Sequence, residues 1–365
     1  MKGEVMRTKP IKNQRGFASL VIAVTLIIIL SLLTVGFAEL SRNEVKQTTN
    51  RQLSSQAYYA AESGVNDAVR AITDGFNEKK DTCPPYGTAP SPSASTQGEK
   101  DLADNTVVSS SGATVEWTCL LINPSPTDLE FSSVSTTKPR TFKTWSDSNI
   151  TSMTFYWQDA AAGVTGFQTI NGASSSNNTF PKLTTWQANI NPGGNGATGL
   201  LRVALTPLSD TSRAGLIANT YTVYMYPTTA SGNTTTYAPD KSTTGVVVNG
   251  NCSTANVGAP NNWPKYCSVT INGLNITAGT PLLVDLRSIY SATDIQITAN
   301  NGAADLLGVQ TQVDSTGRDQ DVLKRIRVAV PNTQEYTYPG YTLDSLNGVC
   351  KQLSVYPGSA SGCSY

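Results

Sequence analysis

From Phe17 to Ala38 the chain carries no charge, a run of 22 residues bounded by Arg15 and Glu39. The run contains no proline, and Gly36 is its only interior glycine. At 1.5 Å per residue a helix of this length is roughly 33 Å long, enough to cross the hydrocarbon core of a bilayer. Five basic residues precede it (Lys2, Arg7, Lys9, Lys12 and Arg15) against one acid, Glu4. The positive-inside rule then places the N-terminus on the cytoplasmic side of a single-pass span through the cytoplasmic membrane. A cleaved secretory signal fits poorly, because its apolar core is usually about 7–15 residues and ends at a small-x-small site. A plain membrane anchor fits the length.

The helical pattern does not stop at the membrane. Glu39 to Arg51 is polar and free of glycine and proline. Beyond it, Ala57, Ala60, Ala61, Gly64, Val65, Ala68, Val69 and Ile72 recur at spacings of three and four, one face of an amphipathic helix. Such small side chains predict close packing of the helix on a sheet. Asp74-Gly75 is the expected stop. The whole helix is expected over 17–76, about 55–60 residues and on the order of 85–90 Å. Glu62 reads as a solvated or capping residue of this helix rather than a catalytic one.

The junction Arg15-Gly16-Phe17 resembles a prepilin peptidase site. With the apolar run and the downstream segment QAYYAAESGVNDAV, it resembles the N-terminal module of PilX-type minor pilins over roughly residues 13–72. It is also similar to GspK-like tip pseudopilins of type II secretion. The resemblance implies a leader of residues 1–16, cleavage after Gly16 by prepilin peptidase, and methylation of Phe17. It implies other pilin subunits as partners of the helix, and an extracellular pilus after assembly. Major pilins carry a glutamate five residues after the cleavage point, and here that residue is Val21. A carboxylate in lipid persists only where it has a partner. Its absence points to a tip or priming subunit, with no need to pair with a neighbour above.

Composition narrows the head. Net charge is zero, with 26 basic and 26 acidic residues, which argues against a nucleic-acid partner. Histidine is absent, which removes Ser-His-Asp and Cys-His catalysis and the usual His-based metal sites. The chain is therefore expected not to be an enzyme and to need no cofactor. Six cysteines (Cys83, Cys119, Cys252, Cys267, Cys350 and Cys363) all follow the apolar run, on the exported side. An even number in an oxidising compartment predicts disulfides, and six allow 15 connectivities. The nearest-neighbour set is favoured: Cys83–Cys119, Cys252–Cys267 and Cys350–Cys363. The last resembles the C-terminal loop of many pilins.

The rest reads as an α+β protein: a long N-terminal helix followed by a large, disulfide-stapled β-rich head. Residues 77–140 hold a Pro/Ser/Gly-rich excursion and the first head strands, among them Val107-Val108 and ATVEWTCLLI. Residues 141–248 read as a β module, with Met153, Phe155 and Trp157 on one strand face. Residues 249–365 read as an antiparallel sheet that packs on the helix and ends in a stapled tail. Within it, DSTGRDQD is a hairpin candidate, and Ile326, Val328 and Val330 oppose Arg325 and Arg327 across one strand.

Asp314, Asp319 and Asp321 are weak calcium candidates in that hairpin. Their spacing departs from the EF-hand pattern, and solvated turn acids are the favoured reading. Trp145, Trp186, Trp263, Tyr341 and Tyr356 are candidates for contact with a host or surface ligand. Arg287 near Tyr290, and the Arg325/Arg327 pair, are candidates for contact with a partner subunit. The functions in contention are a pilus assembly subunit, an adhesin, a plain membrane-anchored adhesin and a secretion pseudopilin.

Overall fold

A computed structural model describes residues 15–83, 102, 106–110, 113–160, 199–228, 234–239, 245–253 and 267–332. The expected α+β architecture is present. Helix α1 spans Arg15–Thr73, 59 residues. It stops where the sequence predicts. Gly75 takes φ +98°, the Phe76 amide reaches back to the Ala71 carbonyl (2.9 Å), and the Gly75 amide bonds the Ile72 carbonyl (3.1 Å). This is a Schellman stop, which satisfies carbonyls the helix would otherwise leave open.

Fourteen strands follow among the described residues. Four of them, β1 (Thr106–Ser110), β2 (Ala113–Asn123), β13 (Gln310–Asp319) and β14 (Val322–Pro331), form one sheet in the order β1-β2-β13-β14. The other ten build a second sheet, ordered β3-β12-β5-β10-β9-β7-β6-β11-β4, with β8 (Thr234–Thr236) paired to β10. Its end strands are β3 (Asp128–Val134) and β4 (Arg140–Thr144). Between them lie β5 (Ile150–Asp159), β6 (Leu200–Pro207), β7 (Tyr221–Thr228), β9 (Val246–Cys252), β10 (Cys267–Ile276), β11 (Leu282–Ile289) and β12 (Thr293–Ala299). Pairing is antiparallel except for β7 with β9 and β8 with β10. A short helix α2 (Arg213–Asn219) joins β6 to β7, and its Ser212 hydroxyl caps the Gly215 amide at 3.0 Å.

The chain separates into two compact units. One takes α1 through Gly64, residues 105–118 and residues 316–326. The other takes residues 65–104, 119–315 and 327–365, and so contains the whole large sheet. The core of this second unit is the inner face of that sheet: Met153, Phe155 and Trp157 of β5, Leu201, Val203 and Leu205 of β6, and Ile295 and Ile297 of β12, all fully buried. Tyr156 and Thr154 are buried as well, so β5 is covered on both faces rather than on the single face expected. The sheet curls so that side chains of its end strands touch although the strands do not pair. Phe131 of β3 and Phe142 of β4 stack with centroids 4.9 Å apart, and both belong to or pack on the core.

The grouping of strands differs from the sequence reading. β10, β11 and β12 were expected with β13 and β14 on the helix. They belong instead to the large sheet, where β10 and β12 flank β5 and β11 flanks β6. The large sheet thus draws strands from both sides of the 248/249 boundary. Alternation identifies a strand and its buried face but not its neighbour.

Candidate functional site

The first half of α1 is built for an apolar surrounding. Leu20, Ile27, Leu32 and Phe37 are each more than three-fifths exposed. Three hydroxyls in this stretch are satisfied within the helix: Thr25 donates to the Ile22 carbonyl (2.9 Å), Ser31 to that of Ile27 (2.8 Å) and Thr34 to that of Leu30 (2.6 Å). Such back-bonding is what an apolar medium demands of a polar group. The helix is long and apolar enough to cross a membrane. Gly16 and Phe17 fall in its first turn, and Val21 is 44% exposed.

The second half carries the small-residue face. In the first unit Ala57, Ala60, Ala61 and Gly64 are buried, and Gly317 of β13 lies against the first three. In the second unit Val65, Ala68 and Ala71 are buried in turn. Alanines facing Gly317 let helix and strand backbones approach closely. Tyr58, Tyr59 and Glu62 point away from this face and are exposed.

Two of the expected disulfides form. Cys83–Cys119 fastens the segment after α1 to β2, beside a two-way backbone pairing of Lys80 with Ile122 (2.8 and 2.9 Å). Cys252–Cys267 joins directly opposed residues of β9 and β10. Cys350 and Cys363 lie outside the described residues.

The three acids are not brought together. Asp314 and Asp319 belong to β13, and only Asp321 sits in the two-residue turn to β14, after Gln320 at φ +51°. The hairpin is therefore tighter than the expected eight-residue connection. Asp319 is 2% exposed while Asp321 faces solvent. No group of three or more acidic or cysteine side chains that could hold a metal ion occurs among the described residues. Trp145 is half-buried against Gly308, with the Lys143 ammonium 6.0 Å from its ring. Trp186, Trp263, Tyr341 and Tyr356 lie outside the described residues. Arg287 of β11 pairs in register with Arg202 of β6, and Tyr290 just beyond takes φ +78°. Arg325 and Arg327 lie on the exposed β14.

What the sequence reading missed is a polar bridge inside the second unit. The Gln310 side chain of β13 accepts from the Glu130 amide (2.9 Å) and donates to the Glu130 carbonyl (2.5 Å). Two residues along, Gln312 donates to the Asp128 carbonyl (3.2 Å) and carboxylate (3.1 Å). Gln296 donates to the other Asp128 carboxylate oxygen (3.0 Å), and the Arg327 guanidinium stands 3.7 Å from Asp128 and 4.0 Å from Glu130. Two glutamine amides thus serve the outer edge of β3 as a neighbouring strand would. Asp128, 3% exposed, is held by hydrogen bonds and a nearby cation, as a buried carboxylate must be.

Two clefts flank this bridge. A polar one of about 460 Å³ is lined by Lys79, Lys80, Asp128, Gln312 and Asp314 among others. Burial there pushes the Lys80 ammonium below its usual range. The other, about 440 Å³, lies between β3 and β4.

Residues 15–66 match the family model described as PilX N-terminal. The match covers the exposed apolar half of α1 and most of its small-residue face, and supports a type IV pilin-like protein. No curated protein and no solved structure matches the chain.

Proposed function

We propose that this chain is a minor pilin-like subunit of a type IV pilus, acting at the tip or in priming assembly. Its β-rich head stands outward for attachment to a host or surface ligand. The observation that carries the reading is the match of residues 15–66 to the PilX N-terminal model, on a helix whose apolar half is exposed and membrane-length. In this reading the precursor spans the cytoplasmic membrane. Prepilin peptidase removes residues 1–16 and methylates Phe17, and α1 then leaves the lipid to pack among the helices of other subunits. Val21, standing where bulk subunits carry a glutamate, favours an end position. The role is structural and requires neither catalysis nor a cofactor.

The test is deletion of the chain in its own cells, with fibres counted and attachment scored. Loss of most fibres supports priming. Normal fibres with lost attachment support the adhesive head alone. Normal fibres and normal attachment contradict the proposal.

A further inference from the structure

We infer that the cleft between β3 and β4 is a strand-addition site for an extended, acidic segment of a partner protein. β3 and β4 are consecutive in the chain, joined by residues 135–139, and yet they stand at opposite ends of the large sheet. Among the described residues neither has a second strand as neighbour. β3 pairs with β12 and β4 with β11, each on one side. Consecutive antiparallel strands with so short a connection ordinarily form a hairpin. Here they are held apart, and the gap between them is the cleft.

The seam is closed at defined points and open between them. The stacked rings of Phe131 and Phe142 span it. On β4, the Leu307 amide bonds the Trp145 carbonyl (2.8 Å) and the Thr144 hydroxyl bonds the Leu307 carbonyl (3.0 Å). On β3, the Gln310 amide occupies the Glu130 backbone groups. Residues 130–132 and 140–143 line the 440 Å³ cleft, with β14 at Arg327–Val328 as a third wall, and since Gln310 already occupies Glu130 the open edge is chiefly that of β4. The open length of about four residues is roughly 13 Å of extended chain. A strand laid there would pair with sheet edges and continue the ladder that Gln310 imitates, the mode by which exposed edges take peptides.

Charge selects the occupant. Arg140, Lys143 and Arg327 line the cleft against the single carboxylate Glu130. Arg327 already leans on Asp128 and Glu130, so the rim cation left to an added strand is Lys143, which is exposed and stands 6.0 Å from the Trp145 ring. An added strand with carboxylates on alternate residues would set them toward this rim. Its other face would rest on the phenylalanine pair.

The test uses the full chain in detergent micelles. The probe is a fluorescent, end-capped hexapeptide of alternating Glu and Val, with binding read by anisotropy. Saturable binding is expected. Lys143→Glu should weaken it at least tenfold and Lys143→Gln by less, with unchanged thermal midpoints, since Lys143 is exposed. The same peptide N-methylated on every residue should not bind, because it cannot donate the ladder hydrogen bonds. A Lys/Val peptide should not compete. No saturable binding, equal binding of the N-methylated peptide, or indifference to Lys143→Glu would each overturn the proposal. So would binding seen only after removal of residues 333–365, which would make this chain's own C-terminal segment the occupant.

Discussion

A β-carbon built on Gly317 would lie 2.1 Å from the carbonyl oxygen of Ala57, far inside any real contact. The same position is 2.2 Å from the Ala61 amide nitrogen. β13 therefore meets α1 backbone to backbone, with no room for a methyl group. Gly317→Ala must push strand and helix apart, at a cost of about 1–3 kcal/mol by the usual penalty of overpacking. A thermal midpoint for Gly317→Ala equal to that of the parent would contradict this packing.

Tyr226 and Tyr237 make a pair with opposite expectations. Burial pushes both phenols up to about 12 from 10.0, with the nearby Tyr290 adding to Tyr226. The Tyr237 hydroxyl donates to the Asn219 carbonyl, whereas the Tyr226 hydroxyl is buried with no hydrogen-bond partner among the described residues. Tyr237→Phe should cost about 1 kcal/mol, and Tyr226→Phe should be neutral or stabilising. Between the unfolded and folded pKa values the native state keeps protons that the unfolded chain has lost. This stability is complete below pH 10 and is lost as pH rises through about 12. Each Phe variant should flatten the alkaline fall in stability, which denaturant midpoints at rising pH would record. An unchanged slope in both variants would refute the assignment.

Removing the staples tests the head. The loops closed by Cys252–Cys267 and Cys83–Cys119 span sequence separations of 15 and 36 residues. The loop-entropy model gives roughly 3 and 4 kcal/mol for them. Paired Cys→Ala variants should lose stability in that order in denaturant titrations, and the reverse order would argue against an entropic account.

Gln310 gives the bridge its own test. Gln310→Leu strips partners from both backbone groups of Glu130, while Gln310→Glu still accepts from the amide. The Leu variant should lose about 1–3 kcal/mol, and the Glu variant at least as much at neutral pH, because its buried carboxylate would face the Glu130 carbonyl. Parent-like stability in both variants would mean the two-sided amide pairing contributes nothing.

The helix was legible because its signals are local. An uncharged run, a small-residue face and a glycine stop each lie within a few residues of one another. The β13–β14 hairpin was legible for the same reason, and Cys83–Cys119 and Cys252–Cys267 were legible as nearest-neighbour pairs. β3 and β4 were not foreseen. β3 reads DLEFSSV, with polar residues on what becomes a sheet end, and its outer partners are glutamines 180 and 184 residues away. No periodicity encodes such a pairing. The acids Asp314 and Asp319 misled in the opposite sense: a turn-like composition around Gly317 concealed a strand whose glycine serves the helix.

The N-terminus of the protein from purified pili decides the central claim most directly. Mass spectrometry should find a chain shortened by residues 1–16, beginning at N-methylated Phe17. An intact leader, a cut elsewhere, or absence of the chain from the fibres would contradict it.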